Sequence, residues 1–98
     1  MNMEICEAIE KRNIIRFYYN GGIRIVEPFC YGIHRNTGNG VLRAYQIDGS
    51  SKSGKMKGWK PFEVIKISEI EVTGNQFQGN RIECNPNDSH MSKVFCCL

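Results

Sequence analysis

Apolar positions along the chain change their period once, near residue 13. Over residues 2–12 they recur as Ile5, Ala8 and Ile9, a spacing of three and four that lays one stripe along a helix. Asn2 is placed to cap that helix, Glu4 and Glu7 favour its positive end, and Lys11 and Arg12 favour the other. Three turns of helix are marginal alone, so the stripe is expected to lie against a sheet.

From Ile14 onward the pattern becomes short β-branched and aromatic runs divided by glycine and asparagine, as in strands joined by tight turns. IIRFYY and IRIVEP flank Asn20-Gly21-Gly22, whose residues tolerate positive φ, and are expected to pair as a hairpin whose second strand ends or kinks at Pro28. FCYGIH and VLRAYQI flank Asn36-Thr37-Gly38-Asn39-Gly40 and are expected to form a second hairpin. Residues 48–58, DGSSKSGKMKG, read as a polar loop of a length that often carries function. WKPFEVIKI and SEIEVT then read as a fifth strand and its continuation. Residues 74–98 read as an irregular extension, turning at Asn85-Pro86-Asn87-Asp88, whose end, KVFCCL, pairs with the sheet.

The expected fold is therefore mostly β: a small SH3- or Sm-like barrel with one short N-terminal α-helix and an irregular C-terminal extension. It is expected to be one domain over residues 1–98, with its core at about residues 5–73.

Composition narrows the classes. Hydrophobic residues at 41% and charged residues at 23% are those of a packed domain, which argues against disorder and fibrous architectures. No apolar run approaches the roughly 18 residues of a membrane span, and the N-terminus lacks a signal-peptide core, so a cytoplasmic protein without membrane contact is expected. The five cysteines, Cys6, Cys30, Cys84, Cys96 and Cys97, are odd in number and form no C-x-x-C pair. Reduced thiols are expected, with no metal and no cofactor. Phe95 stands where a prenylation box needs cysteine.

Net charge is only +3, but residues 43–66 hold six basic and two acidic side chains, +4, leaving −1 for the rest. A local basic surface attracts phosphates, although lysines in loops also serve solubility alone. Arg24, Arg43, Lys60 and Lys66 lie on or near expected strands, where a stiff sheet would hold cations in a fixed pattern for a phosphate. The alternative is solvated residues paired with Glu27, Glu63 or Glu69. Trp59 and Tyr45 offer faces on which a base could stack, against core packing as the plainer role. Gln46, Ser50 and Ser51 could bond a base edge or sugar, or simply belong to a turn. His34, His90, Asp48 and Asp88 form no catalytic or metal-binding spacing, so no enzyme is expected.

These segments, in order, resemble a known family. Ala8-Ile9 with Lys11-Arg12, IIRFYYNG, Arg24 through Val26-Glu27-Pro28, VLRAY, and Phe62 through Lys66-Ile67 resemble the WYL domain, a small SH3/Sm-like barrel of bacterial regulators, over about residues 5–73. The naming tripeptide departs, because Gly40-Val41-Leu42 stands in its place and keeps only the leucine. The resemblance implies binding of nucleotides or nucleic-acid strands through basic residues on one face. No helix-turn-helix is legible beside it, so the implied role is capture of a nucleotide, cyclic nucleotide or short oligonucleotide, as sensor or as a sequestering, counter-defence protein. The second expectation is a protein-interaction module or homo-oligomer joined through open strand edges.

Overall fold

The computed structural model describes residues 2–49, 58–78 and 91–98. The helix forms where the stripe places it, as α1 (Met3–Glu10), and the Asn2 side chain accepts the Ile5 N–H at 3.2 Å to cap it. Ile5, Ala8 and Ile9 are buried, and Cys6 is buried with them. The Asn2 N–H donates to the Tyr31 hydroxyl at 2.9 Å, pinning the start of the helix to the sheet.

The strands are β1 (Asn13–Tyr19), β2 (Gly22–His34), β3 (Gly40–Gly49), β4 (Gly58–Glu63), β5 (Ser68–Gln76) and β6 (Met91–Cys97), with a 3₁₀ turn at Val64–Lys66 between β4 and β5. Every ladder is antiparallel, and the order is β4-β3-β2-β1-β5 with β6 also on β2. The two segments expected on either side of Pro28 are one continuous strand. Along one edge of β2, residues up to Val26 pair with β1 and residues from Cys30 onward pair with β6, while β3 follows the other edge. Pro28 sits at that change of partner, where the β3 register also shifts, and an irregular ladder tolerates a missing N–H. The chain end pairs with the sheet as KVFCCL suggests.

The fold is mostly β, but the sheet is open. The ends of its path, β4 and β5, share no ladder among the described residues, so the closed barrel expected above is not formed. One face of the sheet packs on α1 through Ile15, Phe17, Val26, Leu42, Ala44 and Phe62. Phe17, Tyr19 and Phe62 meet edge to face there, with Phe62 5.1 Å from each partner's ring centre. Cys30, Val41 and Met91 form a smaller buried cluster. Among the described residues no helix is long and apolar enough to cross a membrane.

The expectation of reduced thiols is overturned at Cys6 and Cys96, which are joined by a disulfide with Cα atoms 5.6 Å apart. Their spacing of 90 residues gave no hint, because they meet only after α1 and β6 have both packed against β2. Cys84 and the 85–88 turn lie outside the described residues.

A link closing so long a loop removes much unfolded-chain entropy. Cys6→Ser is expected to lower stability by about 2–5 kcal/mol, read as a shifted urea midpoint, and reduction of the parent chain should reproduce that shift.

Candidate functional site

Residues directly opposed in an antiparallel ladder share a face, and residues two apart on a strand share it too. Leu42, Ala44 and Gln46 of β3 are fully buried on the helix side, opposite Phe62, Lys60 and Gly58 of β4. Val26 of β2 opposes both Gln46 and Ile15, so Arg24, two residues earlier, points the same way, opposite the buried Phe17. Arg24 is 5% exposed and Gln46 is 0% exposed. Neither is the solvated strand residue or turn residue that the sequence also allowed.

The Arg24 Nη1 donates to the Gln46 Oε1 at 3.2 Å. Its guanidinium carbon lies 5.5 Å from the Tyr19 ring centre and 5.8 Å from that of Phe62. Its Nε is buried and makes no hydrogen bond. Among the described residues no ion pair involves Arg24, whereas Lys11–Glu7, Arg16–Glu71 and Lys66–Glu63 pair elsewhere. A desolvated cation–π contact returns about 2 kcal/mol and a hydrogen bond to a charged group about 1.5–3 kcal/mol. The effective cost of taking an ion out of water is several kcal/mol, the same size as these contacts return, and the buried Nε without a hydrogen bond leaves a further cost unmet.

This cation stands at the root of the segment 50–57. Gly49 opposes Arg24 and Gly58 opposes Gln46, so the two glycines that bound the segment register against the two buried polar residues. Gly49, at φ +102°, has no substitute: a Cβ there would overlap the Ile23 carbonyl oxygen and come 3.0 Å from the Arg24 Cα. The segment itself, SSKSGKMK, holds three serines and three lysines. Ser50 and Ser51, expected to bond a ligand, lie outside the described residues. Lys60, half-buried opposite Ala44, is diagonal to Gln46 on the same face.

The opposite face carries Arg43 and Tyr45, across from Pro61 and Trp59. Trp59 meets Tyr45 edge-on at 5.6 Å and tilts onto Phe29 at 4.9 Å, and Phe29 in turn meets Phe77. Arg43 borders a cavity of about 270 Å³ with His34, Val41, Pro61 and Met91. The His34 Nδ1 accepts the Asn36 N–H at 3.1 Å, which leaves the proton of a neutral ring on Nε2. Lys66 is exposed in the 3₁₀ turn and pairs with Glu63 at 3.3 Å.

The expected single basic face therefore divides. Arg24, Gln46 and Lys60 come together on one side, Arg43, Tyr45 and Trp59 on the other, and Lys66 stands apart beyond the end of β4. Tyr19, Phe62 and Gly49, which shape the surroundings of Arg24, were not among the expected site residues. The parity of Arg24 with Val26 along β2 was the available signal. His90 and Asp88 lie outside the described residues, among which no three His, Cys, Asp or Glu side chains converge as a metal ion would need.

Gln46→Leu removes the one acceptor bonded to Arg24 and is expected to cost about 1.5–3 kcal/mol in a denaturant titration. Adding Arg24→Met should return most of that loss, because removing both partners of a buried polar pair is close to neutral. A double-mutant cycle on the two substitutions measures the coupling directly.

Compared with known proteins, the chain matches no family model, no curated relative and no solved structure.

Proposed function

We propose that this chain is a non-enzymatic binder of an anionic ligand: a nucleotide, a cyclic nucleotide or a short nucleic-acid strand. The observation that carries this reading is Arg24, a buried residue that makes no ion pair among the described residues and whose Nε has no hydrogen bond, at the foot of a lysine- and serine-rich segment. A phosphate oxygen bonded to that guanidinium would offset the remaining desolvation, and Gln46 orients the fork by holding Nη1. Lys60 adds a second cation on the same face.

Ligand length follows from the division of the faces. Lys60 and Trp59 are neighbours on β4, the edge strand, and point to opposite sides of it. A short strand crossing the β4 edge would meet Arg24 and Lys60 on one face and stack a base on Trp59 on the other. Oligonucleotides are accordingly placed ahead of mononucleotides.

The WYL-like, SH3/Sm-type reading of the fold belongs to the same proposal. It is supported by the N-terminal helix packed on one face of the antiparallel sheet and by β5 returning beside β1. A cytoplasmic setting belongs to it as well, and there the Cys6–Cys96 bond would stand reduced for much of the protein's life. Pairing with another chain through the β5 edge comes second. That edge carries Glu69 and Glu71 and two register shifts against β1, features that discourage strand addition.

Calorimetric titration with a panel of nucleotides and short single strands tests the proposal. Binding is expected for at least one oligonucleotide, weakening steeply with salt. Arg24→Gln, checked for an unchanged fold by circular dichroism, should weaken it at least about tenfold, ~1.4 kcal/mol. Silence across the panel, or equal affinity in Arg24→Gln, would refute it.

A further inference from the structure

We propose that Cys30 and Cys97 are a second oxidisable pair, which closes into a cross-strand disulfide and locks β6 to β2 on the face opposite the Cys6–Cys96 bond. Successive residues of β6 point to opposite faces. Cys96 turns toward α1 and is bonded to Cys6, so Cys97 turns away from the helix, where it packs against the Cys30, Val41 and Met91 cluster. In the β2–β6 ladder Cys97 is the direct partner of Cys30, and both are thiols.

The backbone bonding decides that this pair is close enough. The Leu98 N–H donates to the Phe29 carbonyl at 2.9 Å, which makes positions 29 and 98 a hydrogen-bonded pair. The next pair along, Cys30 and Cys97, is then a non-hydrogen-bonded one, the kind whose Cα atoms stand about 4.5 Å apart with side chains closest together. Disulfides span Cα separations of roughly 4.4–6.8 Å. The separation typical of such a pair lies inside that range.

Exposure fixes the order of events. Cys97 is partly exposed, whereas Cys30 is buried and 3.8 Å from the Met91 sulfur. With oxidised glutathione as the oxidant, the Cys97 thiolate attacks one of its sulfurs and releases one glutathione thiolate. The Cys30 thiolate then attacks the Cys97 sulfur of the mixed disulfide and releases the second glutathione. Two protein thiols lose two protons and two electrons, and one glutathione disulfide is reduced to two thiols. Afterwards α1, β6 and β2 form one covalent unit, with β6 held from both sides.

The test equilibrates the full chain with oxidised glutathione, digests it with trypsin without reduction and weighs the fragments. Because Cys96 and Cys97 share the terminal fragment, the expected product is three peptides joined together, carrying Cys6, Cys30 and the Cys96–Cys97 pair. Cys97→Ser, which leaves the Cys6–Cys96 bond in place, should lose the Cys30 peptide from that assembly and keep the other two. Recovery of Cys97 as a stable glutathione adduct, as an unmodified thiol or linked to the Cys84 peptide would overturn the proposal.

Discussion

The backbone ladder of β2 is the constraint on which the other elements depend. This one strand bonds to β3 along one edge and, along the other, first to β1 and then to β6. β4 and β5 attach one step further out, through β3 and β1, and α1 rests chiefly against β2 and β6. A strand 13 residues long can serve three partners because its edge is handed over between Val26 and Cys30. Gly32 shows how tight the second half is: a Cβ there would overlap the Lys93 carbonyl oxygen of β6.

Alternation along the strands then distributes the polar chemistry. On β3, odd and even residues separate Arg43 and Tyr45 from Ala44 and Gln46. On β4 the same rule separates Trp59 from Lys60. A set of cations that looks contiguous in sequence becomes two sets on opposite faces, and only one of the two holds a buried cation. That set includes Arg24, whose charge is met by two aromatic rings and one neutral amide. An arrangement of this kind costs stability in the ligand-free protein, and the cost has a physical reason if an anion completes the site.

Sulfur chemistry follows the same geometry. Cys96 and Cys97 are adjacent in sequence yet serve opposite faces of β6, one toward the helix and one toward the small cluster around Cys30. The strand that reaches the sheet last is also the one provided with two sulfur anchors. Its backbone ladder covers only the second half of β2, from Cys30 to His34, and both sulfur positions stand at one end of it.

Local patterns determined much of this protein. The spacing of Ile5, Ala8 and Ile9 specified a helix and its buried stripe, Asn2 specified its cap, and Asn20-Gly21-Gly22 specified the first hairpin, because each depends on residues within one turn of one another. The strand character of VLRAYQI and the docking of KVFCCL were legible for the same reason. Tertiary structure alone decided that β2 runs through Pro28, that the sheet stays open between β4 and β5, and that Cys6 meets Cys96 across 90 residues. It also decided that Arg24 is buried while Lys66 is not. Those outcomes depend on which strands become neighbours, and partner choice is set by long-range packing that no local period encodes.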